Sequence, residues 1–264
     1  MINTTIQYTV HRFRPWLFSL LLIGMFSPYG HAETSSFSDQ QRAELKVLIR
    51  DAMVQDPEIL RDAIIAFQAY QELQQQLGVS GVIKQQANNL FTNSNDPWMG
   101  SDNPTITLAY FTDFNCPYCK RVEPSLAKLV EEFPQLRVVI KMVPLLGPSS
   151  EEASLFAQTI WLEQPQKFMD LHTKLMASPS RLTSESIANV AKLTGNQQWL
   201  TAAKQNPQAK QILDDNLQLM TQLNIGGTPS LVFSDSLIPG LVPYEQIKQQ
   251  IELELKGLEA ANEE

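Results

Sequence analysis

The sequence predicts an α/β domain with a helical insertion, preceded by a separate helical segment. Three observations predict it. A strand-like run, Thr105 to Thr112, leads through a short loop into Cys116-Pro117-Tyr118-Cys119 and then into apolar residues at helical spacing. The run Arg137 to Val143 is rich in branched apolars, as a strand buried on both faces of a parallel sheet should be. A long helical block then separates these strands from two short ones near the C-terminus.

Composition sets the outer bounds. The 264 residues are 43% hydrophobic and 18% charged, which excludes disorder throughout. A net charge of −8 disfavours a nucleic-acid partner, because the phosphate backbone selects for basic surfaces. Three histidines and two cysteines are too few for a four-ligand zinc cluster alongside independent catalytic groups.

The elements follow in order. Residues 1–32 have the form of a cleaved secretory signal: His11, Arg12 and Arg14 without an acid, an apolar run from Trp16 to Phe26, and the triplet Gly30-His31-Ala32. That run is about half of the roughly 20 residues a membrane span needs. Cleavage would leave 18 Lys and Arg against 28 Asp and Glu, or −10, and His172 as the remaining histidine. His172 shares a helical stripe with Phe168, Leu171 and Leu175, so it reads as a packed helix residue.

Residues 33–77 read as two amphipathic helices. Leu45, Leu48, Ile49, Ala52 and Met53 form one apolar face, and Asp56-Pro57-Glu58 carries an N-cap acid, proline at the first helical position and an acid in the first turn. Ile59, Leu60, Ala63, Ile64, Phe67 and Tyr70 continue the second face. Helices this short need a partner to bury such faces. Residues 78–103 are polar and broken by Gly81, Pro97 and Gly100, which predicts a linker, with a short helix around Val82 to Leu90. The domain proper is expected over 104–258, its helical insertion over about 149–206 with the helical block running on to 223, and a tail over 259–264. Ser149-Ser150-Glu151-Glu152 reads as a helix-capping signal. Gly226-Gly227-Thr228-Pro229 precedes the strand Ser230 to Phe233, Leu237 to Val242 can pair back on it, and Pro243 opens a last helix.

Both cysteines lie in one Cys-x-x-Cys. As a structural staple it would close so small a loop that it removes little unfolded-state entropy. As half of a zinc site it lacks further ligands. A redox pair, Cys116–Cys119, remains, needing no cofactor and no metal. Cys116 at the start of a helix meets unpaired amides and the positive end of the dipole, which favour a thiolate, so it is the expected nucleophile. Cys119, one turn further in, is the expected resolving thiol. Pro117 fits the first turn without loss of a hydrogen bond, Tyr118 is expected to tune the first sulfur, and Pro124 should kink the helix.

Phe114-Asn115-Cys116-Pro117-Tyr118-Cys119-Lys120, the downstream Gly227-Thr228-Pro229 and the helical block between them resemble the DsbA-type branch of the thioredoxin superfamily. The resemblance implies a thioredoxin fold and a cis bond between Thr228 and Pro229 that sets Thr228 beside Cys116 to pair with substrate. From the residues alone, only a turn before a strand is read there, which a trans loop proline would also satisfy. Two departures stand out. Strongly oxidising members carry histidine where Tyr118 stands, so this pair should be less oxidising. Relatives often place a buried acid six residues before the first cysteine, where this chain has Tyr110; Asp113 reads as a loop or capping acid, with proton acceptance from Cys119 as the lesser reading. Leu45 to Tyr70 is similar to the N-terminal oligomerisation segment of ScsC-like and Com1-like members, which implies a homodimer or homotrimer.

The expected activity is therefore that of a periplasmic thiol:disulfide oxidoreductase, an oligomeric isomerase or reductase acting on unfolded or misfolded secreted proteins with cysteines. Two alternatives stand beside it: a dithiol oxidase recharged by a membrane redox partner, and a Cu(I)-binding copper-tolerance protein, since two thiolates suit a soft ion.

Overall fold

The structure is a computed structural model that describes residues 37–262, so the signal-peptide reading of residues 1–32 lies outside the described residues. The described residues fall into two units that divide between Asp62 and Ala63.

In the first unit, helix α1 (Asp39–Gln55) opens on a reciprocal capping box, Gln41 N donating to Ser38 Oγ at 3.2 Å and Ser38 N to Gln41 Oε1 at 2.9 Å. Asp56 ends α1 and its carboxylate accepts from Glu58 N at 3.2 Å, starting helix α2 (Pro57–Gln85) at the expected break. No residue of α1 is buried: Leu45, Leu48, Ile49, Met53 and Val54 all face solvent, as do Ile59 and Leu60 of α2.

The second unit is built on a five-stranded sheet of order β1-β3-β2-β4-β5. Strand β2 (Ile106–Thr112) runs parallel to β3 (Leu136–Met142), while β1 (Trp98–Gly100), β4 (Ser230–Val232) and β5 (Leu237–Pro239) pair antiparallel. Side chains of β2 alternate between two layers, as the two-residue period requires. Ile106, Leu108 and Tyr110 pack with helix α3 (Pro117–Glu132), helix α9 (Tyr244–Asn262) and the insertion; Ala109 and Phe111 pack with Ile83, Leu90, Leu219 and Met220. Between β3 and β4 lie α4 (Pro148–Glu163), α5 (Phe168–Met176), α6 (Ser184–Leu193), the single turn α7 (Leu200–Ala203) and α8 (Pro207–Gln222).

The structure differs from the linker reading of 78–103. Helix α2 continues to Gln85, a π-helical turn spans Asn88–Thr92, and Trp98–Gly100 joins the sheet, Trp98 opposite Val139. Gly78 and Gly81 look like breakers, but an exposed helical glycine costs only about 1 kcal/mol, and the burial of Ile83 and Leu90 outweighs it. Gly100 does have a steric role: at φ +97° a Cβ would sit 2.3 Å from the Leu136 carbonyl oxygen. The C-terminal stretch read as a tail from 259 is helical as far as Asn262.

Lys141 of β3 faces the second layer, where its ammonium is fully buried against the Asp96 carboxylate and the Asn89 carbonyl. Burial pushes the Asp96 carboxyl up and the Lys141 ammonium down, each opposed by the other's charge. This pair fastens residues 89–96 to the sheet.

Candidate active site

Strand β2 ends at Thr112, and the turn from Asp113 to Cys116 is closed by Cys116 N donating to the Asp113 carbonyl at 2.9 Å. Cys116 is then the N-cap of α3, with Pro117 in the first turn, where the missing N–H costs nothing. Its Sγ accepts from Cys119 N at 3.4 Å. Cys116 is 4% exposed and Cys119 is fully buried; both are free thiols. Pro124 lies inside α3.

The peptide bond between Thr228 and Pro229 is cis, and the Thr228 carbonyl accepts from Cys116 Sγ at 3.3 Å. Residues 112 positions apart in sequence thus meet at the nucleophile because β4 pairs with β2. Cys116, Cys119, Thr228 and Pro229 form one cluster. Tyr118 is an exposed residue, with the Arg121 guanidinium 6.0 Å from its ring centroid, and it reaches Cys116 through its backbone N–H.

The hydrogen bond from the Cys119 side chain is the largest cause drawing the Cys116 thiol down to about 6, helped by the Cys119 amide, the Thr228 side chain and the Tyr118 amide and opposed by burial. Burial and the neighbouring Cys116 sulfur push Cys119 upward. The surroundings thus draw one sulfur toward the thiolate and the other toward the protonated thiol, an arrangement suited to a nucleophile and a resolving thiol. Tyr110, in place of a buried acid, donates to the Cys119 carbonyl at 3.4 Å and accepts from Thr112 Oγ1 at 2.9 Å; burial raises its phenol further.

Asp113 is fully buried and organises the loop: Oδ1 accepts from Asn115 N and Ser150 Oγ, both at 2.7 Å, and Oδ2 from Leu145 N at 2.8 Å and Leu146 N at 2.9 Å. Asn115 Nδ2 donates to Ser149 and Ser150 Oγ, both at 2.9 Å, and its Oδ1 accepts from Leu182 N at 2.7 Å. The two serines therefore do not cap α4, whose N-cap is Gly147 without a side-chain bond. Lys120 Nζ donates to the Ser178 and Ser180 carbonyls at 2.7 and 3.1 Å. Sequence reasoning missed Asn115, Ser149, Ser150 and Lys120 as site residues; a polar pair just before the cysteine was the available signal, but its partners lie more than thirty residues away. His172 is packed as expected, its Nε2 3.1 Å from Glu123 Oε1 and its ring between Phe114 and Phe168.

Among the described residues no group of three or more His, Cys, Asp or Glu side chains is placed to hold a metal, and no helix is long and apolar enough to cross a membrane. A soft ion would find two sulfurs here.

A dithiol at a helix N-terminus, beside a cis-proline loop on a sheet with a parallel central pair, defines a thiol:disulfide exchange site in a thioredoxin-type fold. Residues 107–252 match the model of the DSBA-like thioredoxin domain, and the chain belongs to that family. It is 28% identical to Disulfide bond formation protein D of Bacillus subtilis over 173 residues, 61% of this chain and 78% of that one. It is similar to Proteus mirabilis ScsC solved in a transitional conformation, with a TM-score of 0.64 and 33% identity over 84% of this chain and 98% of that one. A periplasmic thioredoxin-like protein of Salmonella enterica serovar Typhimurium gives 0.59 and 35% identity over 64% of this chain and 95% of that one.

The acidic thiol makes the reduced protein's stability depend on pH. The Cys116 pKa is depressed on folding, from about 8.5 in an unfolded chain, so its contribution is complete above about pH 8.5 and is lost as pH falls through about 6. Denaturant unfolding of the reduced protein should lose about 1–3 kcal/mol across that window, a range reduced for the sulfur's partial access to solvent, and Cys116→Ser should lose this component.

Proposed function

We propose that this protein is a periplasmic thiol:disulfide oxidoreductase that works as an oligomeric disulfide isomerase or reductase on unfolded or misfolded secreted proteins. The Cys116 thiolate attacks a client disulfide, forming a mixed disulfide and expelling a client thiolate. In isomerisation that thiolate attacks another client disulfide, and the final attack frees Cys116 unchanged. In reduction Cys119 attacks Cys116 instead, releasing a dithiol client and leaving the Cys116–Cys119 disulfide, which a membrane redox partner would reduce. The Thr228 carbonyl, next to Cys116, and Pro229 would position the client backbone.

The observation that carries the isomerase reading is the uncovered apolar faces of the two N-terminal helices, Leu45, Leu48, Ile49 and Met53 on one and Ile64 and Phe67 on the other, all exposed in the single chain. Symmetric association would cover these faces, at about 1.5–3 kcal/mol for each large side chain, and would bring two or three dithiols around one client. The acidity of Cys116 favours the second reading, a dithiol oxidase. Light scattering and refolding of scrambled ribonuclease separate the two. Full-length protein should be a dimer or trimer with isomerase activity; protein lacking residues 33–77 should be a monomer that keeps dithiol chemistry and loses isomerisation. A full-length monomer at micromolar concentration would overturn the isomerase reading and advance the oxidase.

A further inference from the structure

The turn that carries Cys116 is tied down from outside its own helix. Three features show how. First, Asp113 fixes the turn from within, its carbonyl accepting from Cys116 N at 2.9 Å and its Oδ1 from Asn115 N at 2.7 Å. Second, the Asn115 side chain leaves the turn and joins two separate parts of the insertion, the first turn of α4 through Ser149 and Ser150 and the loop before α6 through Leu182 N. Third, Ser150 closes the circuit by donating to Asp113 at 2.7 Å, so one hydroxyl serves both side chains. Every polar atom of the Asp113 carboxylate and the Asn115 amide is thereby engaged, at a place where the helix itself requires only a residue able to precede Cys116. No backbone hydrogen bond of a sheet or helix depends on the Asn115 side chain.

What the circuit holds in place is the sulfur. Cys116 Sγ meets two groups from different parts of the chain, the Cys119 amide at 3.4 Å and the Thr228 carbonyl at 3.3 Å. The first belongs to α3 and the second to the loop before β4, so keeping both contacts requires the start of α3 to be fixed relative to the sheet. Proline at 117 supplies no N–H to help with this. Of the two, the Cys119 amide donates to the sulfur and favours the thiolate, while the Thr228 carbonyl accepts from the thiol and marks its place beside the cis-proline loop. Hydrogen bonds to a charged acceptor weaken steeply with misalignment, so a small drift of the turn would weaken the Cys119 amide's hold on the thiolate.

We propose that Asn115, held by Ser149, Ser150 and Leu182 N, is a positioning residue for thiol–disulfide exchange, through which the helical insertion fixes Cys116 on the Cys119 amide and the Thr228 carbonyl. Asp113 completes the circuit, but Asn115 is the member to test: it is only partly buried, and changing it to alanine alters no charge. The proposal rests on Cys116 being the nucleophile.

The test uses the full chain, reduced, well below its melting temperature. Thiolate absorbance is titrated in wild type, Asn115→Ala and the double variant Ser149→Ala/Ser150→Ala, together with the rate of reaction with glutathione disulfide. In both variants the Cys116 midpoint should rise by about half to one pH unit, a three- to tenfold loss of acidity, and the rate near pH 6 should fall accordingly. A purely structural role for Asn115 would lower the melting temperature and leave the midpoint where it is in wild type. That result would overturn the proposal. A wild-type midpoint already near the free-thiol value would instead remove the nucleophile assignment on which the proposal stands, so the two failures are distinct.

Discussion

Serine in place of Cys116 is expected to reduce thiol–disulfide exchange by about a thousandfold or more, because no other group can form the covalent intermediate. Cys119 cannot substitute. It is fully buried and its thiol is pushed up by that burial, so near neutrality it presents neither an accessible sulfur nor a thiolate. The converse variant, Cys119→Ser, should leave the first attack intact and remove the second, so that mixed disulfides with client proteins accumulate on Cys116. Insulin reduction gives the activity, and non-reducing electrophoresis with peptide mapping gives the adducts. Adducts on residue 119 in the Cys116→Ser variant would reverse the two roles.

The largest stability effect is expected at the buried ion pair. Asp96→Ala leaves the Lys141 ammonium with the Asn89 carbonyl as its remaining partner and no countercharge in contact, at a cost of about 3–5 kcal/mol. Removing both charges together, as Asp96→Leu with Lys141→Met, should restore most of that loss, because desolvation of the two ions already offsets much of their attraction. Urea unfolding of the single and double variants measures this directly. Equal destabilisation in both would show that shape at this site, rather than an uncompensated charge, sets the cost. Either variant should leave the thiol titration of Cys116 where it stands, since the pair lies on the face of β3 away from the α3 layer.

Much of this architecture was legible in the sequence because local and global signals agree there. Asp56-Pro57 breaks the N-terminal helices where capping chemistry says it should, and β2, the Cys-x-x-Cys and α3 follow one another as the strand-like run, proline and apolar spacing require. The failures share one cause: the decisive partner was far away in the chain. Gly78 and Gly81 suggested a linker, yet Ile83 and Leu90 are held in the core by α8 and the sheet. Trp98–Gly100 is too short to announce itself as a strand and exists by pairing with β3. Ser149 and Ser150 carried a capping pattern, but Asn115 and Asp113 take their hydroxyls. At the site, residue chemistry pointed to the two cysteines and the resemblance to Thr228 and Pro229 as candidates, and the fold alone shows the loop circuit.

The account depends above all on Cys116 being a thiolate under working conditions. Titration of thiolate absorbance in the reduced full-length protein, repeated with Cys116→Ala, tests this directly. The wild-type protein should show a transition centred at about 6 that disappears in the variant; a first transition near the free-thiol value of about 8.5, or one that survives the loss of Cys116, would contradict it.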